Sequence, residues 1–433
     1  MGETDVRRLV GRIADYVWRY QHWRLLALED DYAYDRGNMK ITIVGGGFGG
    51  VKTALELSKN QHNRVTLITD KLEFQYYPAL YGTATGRSHL QSWVSLGTIF
   101  ANKLNVDVII DTISTVDPVA KSLTSAIGNV YQYEHLVFAL GSVTTYFGIE
   151  GLDHYAFGIK SEAEINKLKH HFYQEMAEEH MVDKQYVIIG GGPTGVELAS
   201  ALGTYIERLE RHYHMPHRKI GVTLVEAAPR LLPRMNPKTS ERVLKRLEKI
   251  GVKVELDKKV ESATADGLTV SGRPLKSHTI IWTSGVANNP FFAANADHFE
   301  FAKNGKVVVN QYLRTKDGIY VIGDNAATQY SGLAQTALHD AVFISTNFKR
   351  RQSNRPFKKY KPLLPPVVVP VGEKWAVFEW HFLRVYGWPA SLIRRASDAV
   401  GYHDILPIGR ALDTWRAQTV FEEDYFTPTP PSK

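Results

Sequence analysis

Two stretches of the chain carry one device twice: "ITIVGGGFGGVKTALEL" from Ile41 and "YVIIGGGPTGVELASAL" from Tyr186. In each, β-branched residues run into glycines and then into a pattern with helical spacing. A strand that turns into a helix through G-x-G-x-x-G is the context a dinucleotide-binding unit requires. The first copy supplies Gly45, Gly47 and Gly50; the second supplies Gly190, Gly192 and Gly195. The first glycine of each set makes the tight turn. The second lets the backbone approach a pyrophosphate, and the third lets the helix close on its strand. The free N–H groups at the helix start then face the phosphates. A bare glycine turn without a ligand is the alternative reading for either copy.

Each unit also ends its second strand on an acid. "NRVTLITD" closes at Asp70, where a carboxylate can accept both hydroxyls of an adenosine ribose. "GVTLVE" closes at Glu226, which favours NADH over NADPH because a 2′-phosphate would meet like charge. Two nucleotide sites on one chain point to a relay in which nicotinamide hands a hydride to a bound flavin. The expected fold is α/β, with two Rossmann-like domains and an amphipathic C-terminal region. The expected limits are a helical extension over 1–38, a first FAD segment over 39–153 and an NADH domain over 154–284. A second FAD segment follows over 285–348, then a membrane-association and dimer region over 349–433.

Composition removes several chemistries. The 433 residues contain no cysteine, which excludes disulfides, thiolate metal sites, iron–sulfur ligation and thiol-based redox steps. The formal net charge is +7, and Lys349 to Arg416 holds thirteen Lys/Arg against five Asp/Glu. Six of the eight tryptophans lie before residue 39 or after residue 346, outside both nucleotide units. In "EKWAVFEWHFLRVYGWPASLIRRASDAVGYHDILPIGR", aromatics interleave with arginines, as in a helix lying in an anionic headgroup layer. No segment has eighteen uninterrupted apolar residues, so a spanning helix is not expected.

The ordered set "GGGFGG", "FQYYPALYGTATG", "LVFALGSVTTYFGIEGL", "GGGPTGVELA", "IIWTSGV", "IYVIGDNA" and "LAQ" resembles the type II (non-proton-pumping) NADH:quinone oxidoreductases over roughly residues 39 to 345. Their fold is glutathione-reductase-like, with a discontinuous FAD domain. The resemblance implies non-covalent FAD in the first unit, NADH as substrate in the second, and menaquinone or ubiquinone as acceptor. It further implies a homodimer held peripherally on the cytoplasmic side of the cell membrane, with no nucleic-acid partner. Carried onto this sequence, Gly47, Phe48 and Gly49 line the FAD pyrophosphate, and Asp70 takes its ribose. Pro78 and Thr85 belong to the loop that approaches the flavin ring, and Asp324 to the ribityl or pyrophosphate end. Gly141 and Gly285 join the cofactor-binding set; Gly191, Thr194 and Glu226 fall at the NADH site. Glu197 stands near the nicotinamide, flavin and quinone path, with a purely structural helix-start role as its alternative. Ala334 and Gln335 shape the quinone mouth. His339 replaces the second glutamine of the family's AQxxxQ pattern, as a buried structural group or as a proton donor to the acceptor.

The cysteine-dependent sulfide:quinone oxidoreductases are excluded by composition. Two other functions stay open at this point. One is a soluble NADH-dependent reductase of an acidic iron–sulfur or rubredoxin-like carrier, which would dock on the basic region. The other is an FAD-binding interaction protein whose NADH chemistry is vestigial.

Overall fold

A computed structural model describes residues 38–179, 182–217 and 219–422. The expected N-terminal helix lies outside these. The first parallel sheet has the order Tyr320–Val321, His135–Phe138, Lys40–Val44, Arg64–Thr69, Val106–Ile110. The second has the order Ala156–Phe157, Thr279–Trp282, Gln185–Ile189, Gly221–Val225, Val252–Glu255. Both central strands are β-branched runs buried on both faces, as a sheet covered by helices demands.

The first sheet is completed from late in the chain: Tyr320 pairs with Val137 and Val321 with Phe138. The first unit is therefore discontinuous, with the second inserted between its halves. Each parallel sheet carries a three-stranded antiparallel sheet beside it. In the second unit this contains the hairpin Val260–Thr264 with Gly267–Val270. Helix α1 (Phe48–Leu57) follows the first glycine turn, and α2 (Pro193–His212) follows the second. Helix α3 (Ala334–Gln352) packs on α1 and extends past residue 348, so the first unit and the start of the next segment share one helix.

The aromatic C-terminal stretch is only half helical. Val367–Pro370, Ala376–Trp380 and Leu383–Gly387 form an antiparallel sheet, followed by α4 (Trp388–His403) and α5 (Ile408–Ala417). The expectation of one helix through Trp375, Phe378 and Trp380 is thus corrected. "AVFEW" and "LRVYG" are period-two segments rich in aromatic and β-branched residues, joined tightly through His381 and Phe382. Helix begins only where Gly387, at φ 85°, turns the chain into Pro389.

This third unit is bolted to α1 by a buried cation. Lys52, 2% exposed, reaches the carboxylates of Asp404 and Glu56, each at 3.3 Å, and the Asp404 carbonyl at 3.1 Å. Tyr402 lies against Tyr76 at 4.2 Å between ring centres, and its hydroxyl donates to the Gln91 carbonyl at 2.7 Å. Lys52→Met removes the cation that Glu56 and Asp404 share, a loss of about 3 kcal/mol in stability. Denaturant unfolding should report that loss; an unchanged midpoint would contradict the account.

Candidate functional site

The two glycine turns are near copies in backbone geometry. Gly45 and Gly190 have φ of 113° and 116°, values that L side chains rarely adopt. A Cβ on Gly50 would overlap the Gly45 carbonyl oxygen, and one on Gly195 would overlap that of Gly190. These contacts hold each helix against its strand. Gly47 and Gly192 are the opposite case, because a Cβ on either would meet nothing within 4 Å. Each is the N-cap of its helix without a side-chain cap, so first-turn N–H groups are left for an outside acceptor. The arrangement fits a pyrophosphate at each turn. Phe48 contributes backbone alone: its ring packs on Phe74 and Tyr76 at 4.9 and 5.6 Å. Gly49 lies close to Ile322, where a Cβ would stand 3.1 Å from Cδ1.

The flanking acids differ. Asp70 is exposed just beyond its strand. Glu226 accepts the N–H of Gly191 with one carboxylate oxygen and that of Ala228, at 2.7 Å, with the other. Each oxygen keeps a lone pair for a ribose hydroxyl. Thr194 is half-buried in the first turn of α2. Asp324 accepts from Ser142 Oγ at 3.0 Å, and Asn325 clamps Gly141 through both backbone groups at 2.9 and 2.7 Å. Gly141 and Gly285, at φ 70° and 76°, open the strands Ser142–Thr144 and Val286–Asn288, the ribbon that crosses between the units.

Glu197 is buried on α2, and its partner comes from the third unit. Arg394 Nη1 of α4 stands 3.6 Å from Glu197 Oε1, while Nε bonds Asp398 at 3.0 Å and Nη2 donates to the Pro78 carbonyl at 2.6 Å. Tyr76 donates to the other Asp398 oxygen at 3.1 Å. Burial pushes the Glu197 carboxyl up to about 8 although Arg394 pulls the other way, and Asp398 adds to the rise. Sequence reasoning named Glu197 and Pro78, took Arg394 only as one arginine of the stretch that would meet anionic lipid, and missed Asp398 and Tyr76. Arg394 is instead largely buried, and it and Asp398, one turn apart on α4, reach Glu197, Pro78 and Tyr76 through long-range packing.

Helix α3 begins at Ala334, with Ala334 half-buried and Gln335 exposed in its first turn. His339 Nε2 lies 3.0 Å from the Lys361 carbonyl, and its ring packs on Tyr360 at 5.5 Å. Burial lowers its affinity for a proton, against the pull of that carbonyl. The neighbouring Asp340 is fully buried; it accepts the Gly323 N–H at 3.0 Å and the Tyr360 hydroxyl at 2.6 Å. It thereby holds the turn that presents Asp324. A cavity of about 780 Å³ is lined by Pro78, Thr85, Thr204, Arg208, Arg394 and Asp398 among others. Ala334, Gln335 and His339 are not on its wall.

Two further groups escaped the sequence reading. Lys160 Nζ and Gln75 Oε1 are buried and have no protein partner among the described residues.

The sequence profile described as pyridine nucleotide-disulphide oxidoreductase matches residues 39–341. The chain belongs to that family. It does so without a cysteine, so the disulphide chemistry in the family's description has no counterpart here. The chain is 27% identical over 403 residues to the type II NADH:quinone oxidoreductase NdhA of Mycobacterium tuberculosis, covering 85% of each protein. It is 28% identical over 334 residues to a Staphylococcus aureus type II NADH:quinone oxidoreductase, covering 72% of this chain and 82% of that one. Among solved structures, NDH2 from Plasmodium falciparum in complex with NADH superposes with a TM-score of 0.78 at 18% identity, covering 88% of this chain and 97% of that one. The sulfide:quinone oxidoreductase of Aquifex aeolicus shares the fold at a TM-score of 0.72 and 19% identity, covering 88% and 91%.

The environment of Glu197 has a consequence for stability. Its carboxyl ionises near its ordinary 4.5 in the unfolded chain but only at about 8 in the folded protein. Its contribution to stability is therefore present below pH 4.5 and is lost as pH rises to about 8. Glu197→Gln never ionises, so its unfolding free energy relative to the parent should climb through that window and level off above it. Parallel stability–pH profiles would contradict the assignment.

Proposed function

We propose that the protein is a peripheral membrane flavoenzyme that passes two electrons from NADH through FAD to a membrane quinone without pumping protons. One observation carries the reading: two open glycine turns share a chain with Glu197, a carboxyl protonated near neutral pH and paired to a cavity-wall arginine. The protein's own groups divide the work. Gly45 to Gly50 and the start of α1 hold a pyrophosphate, with Asp70 and Asp324 on the adenosine and ribityl portions of FAD. Gly190 to Gly195, Thr194 and Glu226 hold NADH. FAD, when bound, supplies the relay between the two-electron donor and the acceptor. Glu197 holds a proton that it can give to a reduced acceptor, and Arg394 stabilises the carboxylate left behind. Ala334 and Gln335 would border the acceptor. His339 is assigned a supporting place beside them, since its ring is already engaged by the Lys361 carbonyl.

The third unit supports a membrane face. Phe382, Trp388, Leu392 and Ile408 are exposed large apolar side chains, and Arg384, Arg395 and Arg410 lie among them in sequence. Aromatic and aliphatic groups can enter the headgroup boundary while arginines meet anionic lipid. No helix among the described residues is long and apolar enough to cross a membrane. A homodimer on this surface is part of the same proposal.

The purified protein should be yellow, and anaerobic NADH should bleach its flavin band with at least about a tenfold preference over NADPH, as the like charge of Glu226 requires. A menaquinone or ubiquinone analogue should restore the colour within the dead time of manual mixing. A folded protein that retains no FAD would overturn the reading. Recovery only with an acidic iron–sulfur or rubredoxin-like carrier would replace the quinone with a soluble protein acceptor.

A further inference from the structure

Lys160 and Gln75 are both left unused by the flavin reading, and the two belong together. Gln75 ends the short strand Glu73–Gln75, just before Tyr76 and the Tyr77–Ala79 turn; it is 5% exposed. Its Nε2 donates to the Lys160 carbonyl, while its Oε1 is buried without a partner. Lys160 follows Ala156–Phe157, the first strand of the second unit, so the pair spans the junction between the two nucleotide-binding units. Its backbone N–H donates to Glu164 at 2.6 Å, which fixes the residue at both ends of its peptide. Its ammonium is buried and unpartnered, and the charges that act on it are Glu164 and Asp324. Asp324 is the acid assigned above to the ribityl end of FAD, and it also acts on Tyr77. An unmet cation and an unmet carbonyl oxygen at one junction are uncommon in a folded interior. They are explained together if a polar, electron-accepting group completes them.

We infer that Lys160 and Gln75 form a donor–acceptor pair for the polar edge of the bound flavin, with Lys160 as a positioning residue that favours the reduced, negatively charged ring. This rests on the FAD reading. Burial works against the ammonium, lowering its hold on the proton, and a flavin that gains negative charge on reduction would offset that burden. The test compares holoenzymes of the parent, Lys160→Met and Lys160→Arg by anaerobic redox-dye equilibration of the flavin at pH 7. The expected result is a more negative midpoint for Lys160→Met, equivalent to a roughly tenfold weaker preference for the reduced form, restored by Lys160→Arg. A variant that folds by circular dichroism but releases FAD is titrated with FAD in excess and read in the same way. Equal midpoints in all three proteins would overturn the inference while leaving FAD binding and NADH oxidation intact. A parent protein that holds no flavin would defeat the underlying reading instead, so the two failures are distinct.

Discussion

The guanidinium of Arg394 is the contact on which the arrangement depends. It bonds the Pro78 carbonyl of the first unit, faces the Glu197 carboxyl of the second, and is held by Asp398 of its own helix. A buried arginine cannot shed its proton, so its partners must stay assembled around it. Lys52 imposes the same condition on the other end of α4 through Asp404. The C-terminal unit is therefore not an appendage. Its helix supplies one wall of the cavity and sets the charge environment of the acid at the junction.

Two buried carboxyls, one at this junction and one on α3, are held away from their usual range. Burial pushes Glu197 up to about 8 and Asp340 up to about 7. Asp340 works on geometry, holding the turn that presents Asp324. Glu197 instead is buried against Arg394, which stands on the cavity wall. No cluster of metal-ligating residues occurs among the described residues.

What was legible in the sequence was what backbone geometry forces. Gly50 and Gly195 cannot carry a Cβ without striking a carbonyl, and Gly45 and Gly190 adopt a φ that favours glycine. Such constraints leave a local signature, as do the doubly buried strands beside them. Arg394, Asp398, Lys160 and Gln75 left none, because their meaning comes from partners scores or hundreds of residues away. The aromatic stretch misled for a different reason. Its aromatic and basic content suited a surface helix, but two short period-two segments joined at His381 and Phe382 zip into a hairpin. His339 was legible as a departure from a pattern, but its engagement with Lys361 was not, since that carbonyl arrives on the strap that follows α3.

The central claim is that α4 joins the two nucleotide-binding units on the acceptor side of the relay. It is tested most directly by stopped-flow measurement of the two half-reactions in Arg394→Met against the parent. The account predicts flavin reduction by NADH within about threefold of the parent and reoxidation by a quinone analogue slowed by roughly a hundredfold, the scale of a lost general-acid contribution. Unchanged reoxidation, or a loss confined to the NADH step, would contradict it.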